Sequence, residues 1–132
     1  MPNRDAPTIL VVDDTRETRI LMRRLLTRAG MEVIEADSGE AAIRSIEQSR
    51  PDVVVLDLRL PGISGFDVAR WVRANADPAI AGTPLLACSA SIQPEVEAEA
   101  RAAGCDDFEG KPFDVPKFAG RIRDLLSRRS QS

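Results

Sequence analysis

The chain has 132 residues, 43% of them hydrophobic and 30% charged, with 18 Lys and Arg against 21 Asp and Glu for a net charge of −3. That is the length of one domain able to bury a core without staples, and its mild acidity argues against nucleic acid as the main partner. Histidine is absent, which excludes a Ser-His-Asp triad, a His-ligated zinc site and autophosphorylation on histidine.

The first element is the continuous apolar run Ile9–Val12, which predicts a strand near 8–12. Unbroken Val and Ile, without alternation, marks a parallel strand covered on both faces. In Thr15–Ala29 the set Ile20, Leu21, Met22, Leu25 and Leu26 recurs at three- and four-residue steps, a helix that Gly30 stops. A weaker apolar run from Met31 gives a strand near 31–35, after which Ser38 can cap a helix from about Gly39 to Gln48. Val53–Leu56 repeats the buried pattern of the first strand, in a strand near 52–56. A helix over 66–73, a strand near 83–88, a helix from Pro94 to Gly104 and a helix over 115–127 follow. A short strand is placed at 106–110 only because the alternation otherwise ends one strand short; Phe108 is its one apolar residue. The fold expected is α/β: a doubly wound (βα)₅ unit with a five-stranded parallel sheet and right-handed crossovers. It occupies 8–127, with flexible termini at 1–7 and 128–132. Two cysteines, Cys88 and Cys105, suit a reducing cytoplasm. No apolar stretch nears the roughly 20 residues that span a bilayer, and Met1–Pro7 lacks a signal-peptide core, so no membrane role is expected.

In open sheets of this type the site lies beyond the carboxyl ends of the strands. There the chain places Asp13, Asp14, Asp57, Ser89 and Lys111. Any one of them could simply favour a helix start. Together they are harder to explain, because two unit charges about 4 Å apart at an effective dielectric near 20 repel by about 4 kcal/mol. A cation relieves that repulsion, and an all-oxygen donor set suits Mg²⁺, or Mn²⁺ in its place. Asp57, with a reference pKa of about 3.9, needs no general base to act as a nucleophile. Lys111 can hold a phosphoryl oxygen and Ser89 can donate to another.

Ile9-Leu-Val-Val-Asp-Asp14, Leu56-Asp-Leu-Arg-Leu-Pro-Gly62, Cys88-Ser-Ala90 and Ala103-Gly-Cys-Asp-Asp-Phe-Glu-Gly-Lys-Pro-Phe113 resemble the receiver domains of two-component response regulators, from about Ile9 to Leu126. The resemblance implies the flavodoxin-like receiver fold with strand order 2-1-3-4-5. It implies Asp57 as phosphoacceptor, with Lys111 and Ser89 completing the catalytic set. It also implies Mg²⁺ held by Asp14 and Asp57, with Asp13 assisting through water and Arg59 through its backbone carbonyl. Ser89 and Phe108 match the family's switch pair, Ala90 a small residue that leaves the phosphoryl group room, and Lys111–Pro112 a cis bond. Ser89 replaces the more frequent threonine, and Phe108 lacks a tyrosine hydroxyl. The partner implied is a histidine kinase or a histidine phosphotransfer protein, docked on Thr15, Thr18, Met22, Pro112 and Phe113, although Met22 reads equally as core.

The side chain of Arg59 is either solvated or, with Ser91, a control on water access to the aspartyl phosphate. Glu95, Glu97 and Glu99 on the fourth predicted helix face Lys117, Arg121 and Arg123 on the fifth in sign. That surface, with the fifth strand between, is the family's output face, and the opposite charges could favour a phosphorylation-dependent homodimer. Such a chain is expected to be a non-enzymatic, cytoplasmic signalling switch, stand-alone because it ends six residues after Leu126. Alternatives are a phosphorelay intermediate and a receiver excised from a hybrid histidine kinase. A haloacid-dehalogenase-like phosphatase fits poorly, since Arg59 stands where an Asp-x-Asp motif needs its second acid.

Overall fold

The computed structural model describes residues 6–131. Five strands, β1 (Thr8–Val12), β2 (Glu32–Ala36), β3 (Val53–Asp57), β4 (Leu85–Ser89) and β5 (Asp107–Gly110), form one parallel sheet in the order β2-β1-β3-β4-β5. The helices are α1 (Arg16–Arg28), α2 (Gly39–Ser49), α3 (Gly65–Arg73), α4 (Pro78–Ala81), α5 (Pro94–Ala103) and α6 (Val115–Gln131). This is the expected architecture, with strand bounds within about two residues.

The pleat divides the apolar runs between two cores, because successive side chains leave opposite faces of a strand. Ile9, Val11, Val53, Val55, Leu86 and Cys88 pack with Met22 and Leu26 of α1 and Phe118, Ile122 and Leu125 of α6. Leu10, Val12, Val54, Leu56, Leu85 and Ala87 pack with α2, α3 and α5 through Ala42, Ile46, Val68, Val72, Ala100 and Ala103. Both faces are therefore covered, which is why β1 and β3 read as unbroken apolar runs.

Local signals act as expected at several ends. Ser38 accepts from the Ala41 N–H at 3.1 Å and starts α2. Gly104 closes α5 with φ of 113°, a conformation that excludes most side chains. Gly65, first residue of α3, sits where a Cβ would collide with the Asp57 carbonyl oxygen and lie 2.7 Å from Leu58 Cα. Only glycine lets α3 pass this close to the end of β3.

Two segments differ from the sequence expectation. Pro78–Ala81 forms a one-turn helix, started by Asp77, whose carboxylate accepts from Ala79 N–H at 3.0 Å, with Pro78 in the first turn. It is too short to show a helical period. The expected flexible tail from 128 is also corrected, for α6 runs to Gln131. Arg129 donates to the carbonyls of Pro51, Asp52 and Ala79 and to Thr83 Oγ1, at 3.0–3.3 Å. These tertiary bonds hold the last turn on the amino edge of the sheet. At the other terminus the Pro7 carbonyl already accepts from Glu32 N–H; residues 1–5 and 132 of the expected flexible ends lie outside the described residues.

Candidate functional site

Parallel strands all end on one edge, so the residues following β1, β3, β4 and β5 meet there. Asp13 and Asp57 are buried, Asp14 is exposed, and one carboxylate oxygen from each lies within 4.8 Å of the others. Lys111 enters from the end of β5 and bridges the two buried acids, 2.7 Å from Asp13 Oδ2 and 3.1 Å from Asp57 Oδ2. Its own N–H donates to the Ser89 carbonyl at 2.7 Å, so β4 fixes where the lysine emerges. Lys111–Pro112 is cis, as expected.

The other oxygens of the two buried acids are held by backbone donors. Asp57 Oδ1 accepts from Arg59 N–H at 3.0 Å, and Asp13 Oδ1 from Thr15 N–H at 2.8 Å. Burial pushes the Asp57 carboxyl above its ordinary value, against the pull of the Arg59 N–H and the Lys111 charge. A reference value taken from the sequence misses that rise. Burial would lower Lys111, but its hydrogen bond to Asp13 and the charges of Asp57 and Asp13 outweigh it and hold the ammonium above its usual value.

Ser89, the last residue of β4, is buried at this edge, and its hydroxyl accepts from Ser91 N–H at 3.1 Å. Phe108 is half-buried against the α5 side of the core. Arg59 and Ala90 are exposed. Asp14, Leu58, Arg59, Leu60, Pro61 and Ser64 line a recess beside the carboxylates.

Of the five expected docking residues, four reach the surface and one does not. Thr15 and Pro112 are exposed and Thr18 is half-buried. Met22 is not available to a partner: at 1% exposure it belongs to the core between α1 and the sheet. A helix with apolar residues at 20, 21, 22, 25 and 26 must bury one stripe, and Met22 with Leu26 lies on it. Phe113 is half-buried with its ring against Phe118, centroids 4.8 Å apart.

Arg19 shapes the site although the sequence does not point to it. Arg19 Nη1 donates to the Asp13 carbonyl at 2.7 Å while its Nε holds Glu35 at 3.1 Å, tying α1 and β2 to the end of β1. The available signal was a cation three residues before Met22 and seven before Leu26, on the edge of the apolar stripe.

The model of the response regulator receiver domain matches residues 9–123. The virulence sensor protein BvgS of Bordetella pertussis is 40% identical over 123 residues, covering 91% of this chain and 10% of that protein. Response regulator MprA of a Mycobacterium species is 38% identical over 122 residues, covering 92% of this chain and 51% of that protein. The chain thus spans about half of one curated relative and a tenth of the other. Chemotaxis response regulator CheY4 of Vibrio cholerae superposes with a TM-score of 0.84 at 28% identity, over 91% of this chain and 98% of that one. This chain belongs to the response regulator receiver domain family of two-component signal transduction. Among the described residues no helix is long and apolar enough to cross a membrane.

Proposed function

We propose that the chain accepts a phosphoryl group on Asp57 from a phosphohistidine of a histidine kinase or histidine phosphotransfer protein. The observation that carries this reading is the bridge of Lys111 between Asp13 and Asp57, inside a group of three carboxylates. One lysine leaves that group short of positive charge, and its hard oxygen donors fit Mg²⁺, with Mn²⁺ able to substitute. Asp13, Asp14, Asp57 and the Arg59 carbonyl would hold the ion, which when bound offsets negative charge on the incoming phosphoryl oxygens.

In the transfer an Asp57 carboxylate oxygen forms the new O–P bond as the N–P bond of the donor phosphohistidine breaks, and the imidazole leaves with the bonding electron pair. Lys111, already within reach of Asp57 Oδ2, supplies a charge-assisted hydrogen bond to one phosphoryl oxygen. Ser89 supplies another from its hydroxyl, and exposed Ala90 leaves space for the group. Attack by water returns the carboxylate and releases phosphate, a rate that the Arg59 side chain and Ser91 are placed to tune. The chain is then a cytoplasmic signalling acceptor, catalysing only its own phosphorylation and dephosphorylation. Ser89 and Phe108 would transmit the state to the α5–β5–α6 surface, which signals through protein contacts and in one form through a homodimer.

Similarity to a sensor protein of which the chain covers 10% favours one further reading, a relay receiver of the kind carried within hybrid kinases. The deciding experiment is incubation with acetyl phosphate and Mg²⁺, followed by intact-protein mass spectrometry. One phosphoryl group is expected on the wild type and none on Asp57→Asn; equal labelling of both would overturn the assignment. Phosphotransfer profiling against a panel of kinases and phosphotransfer proteins then separates regulator from relay.

A further inference from the structure

Glu109 is an acid on a largely apolar face of the sheet. It lies on β5 opposite Cys88, on the sheet face that packs α6, and is 6% exposed. Its Oε1 accepts from Asp114 N–H at 3.1 Å. Its Oε2 makes no hydrogen bond, the one such buried side-chain atom among the described residues, and sits 3.8 Å from Arg121 Nε. Arg121 is itself engaged with Asp107 Oδ2 at 3.2 Å and the Phe108 carbonyl at 3.3 Å. A buried carboxylate satisfied on one oxygen is costlier than an apolar side chain of similar size.

The bond that Glu109 does make closes a loop. Residues 109 to 114 are joined at their ends by the carboxylate and the Asp114 N–H, at the start of α6. Inside that loop stands Lys111, tethered by its N–H to Ser89, and Phe113, resting on Phe118. The Lys111 ammonium must reach both Asp13 and Asp57, so the path of this backbone sets where its charge lies. We propose that Glu109 is a positioning residue for Lys111, its carboxylate clamping the segment 109–114 so that the ammonium is held over the two buried acids. This rests on the proposed role of Lys111 in phosphoryl transfer.

The test compares Glu109→Leu and Glu109→Gln in the full chain. Glutamine keeps an oxygen acceptor for Asp114 N–H; leucine removes the clamp and the unsatisfied carboxylate together. Glu109→Leu is expected to unfold at a urea midpoint equal to or above that of the wild type, yet to take label from acetyl phosphate about tenfold more slowly. Glu109→Gln is expected to label within about twofold of the wild type. Amide hydrogen exchange on the wild type gives a readout independent of activity: Asp114 N–H should be protected. Leucine labelling at the wild-type rate, glutamine as slow as leucine, or an unprotected Asp114 amide would each overturn the clamp. Should Glu109→Leu not fold, the glutamine rate and the Asp114 amide decide. A wild type that takes no label overturns the functional reading and the clamp with it, whereas a labelled wild type matched by the leucine variant overturns the clamp alone.

Discussion

Lys111 Nζ lies 2.7 Å from Asp13 Oδ2, although 98 residues separate the two in the chain. Asp13 is 1% exposed, and Asp57, 3.1 Å from the same nitrogen, is 5% exposed. One ammonium thus serves two carboxylates that the sheet has removed from water. Removing it leaves both acids buried and facing each other.

For Lys111→Met the expected cost is about 2 kcal/mol in urea unfolding at pH 7, below the full penalty of a broken buried pair because the lysine is partly solvated. Added Mg²⁺ should recover more stability in the variant than in the wild type, since in the variant it alone offsets the carboxylates. An equal Mg²⁺ response in both proteins would show that the lysine is not the principal counter-charge.

Glu35 gives a pH-dependent prediction. Burial raises its carboxyl, but hydrogen bonds from Arg23 at 2.6 Å and Arg19 at 3.1 Å outweigh that and hold it below its ordinary value. A folded-state pKa below the unfolded one means the unfolded chain binds the proton first as pH falls. The stabilisation is therefore present above the unfolded value, about 4.3, and is lost as pH drops through the folded value. Glu35→Gln should unfold at a lower urea concentration than wild type at pH 7, and the gap should narrow toward pH 3. A gap that stays constant with pH would mean the carboxylate charge is not what matters.

Arg129 makes the end of α6 a structural part of the domain. Its guanidinium reaches three carbonyls and a hydroxyl near the amino ends of β3 and β4. Arg129→Ala should cost about 1 kcal/mol, because three part-buried acceptors and one exposed acceptor lose a charged donor. Deletion of residues 128–132 should lower the melting temperature at least as much, measured by circular dichroism. An unchanged melting temperature after deletion would return the tail to the flexible state first expected.

Cys88 and Cys105 are both buried, and desolvation pushes the Cys105 thiol up to about 11 and Cys88 further still. Neither should react with a thiol reagent at pH 8 in the native protein over the time both take to react in urea. Rapid native labelling of either would show an opening that the folded core does not have.

Legible in the residues alone were the chain order of the five strands and the five longer helices, the two-sided burial of β1 and β3, and the edge where Asp13, Asp14, Asp57, Ser89 and Lys111 gather. Those features follow from apolar period, helix caps and the geometry of parallel sheets, all of which are local or topological. Even the weak β5 was legible, since the alternation required it. That Met22 is core while Thr15 is surface came from the packing, because a helix stripe is assigned to inside or outside by what packs on it. So did the bridge of Lys111 between two acids, the grip of Arg19 on the Asp13 carbonyl and the anchoring of the tail by Arg129. The Lys111 and Arg129 contacts join residues far apart in the chain, and the Arg19 contact joins a helix to the end of a strand; all are set by distances of a few ångströms that no period or propensity encodes. The upward shift of Asp57 belongs with them, since desolvation exists only once the surrounding strands have closed over the carboxyl.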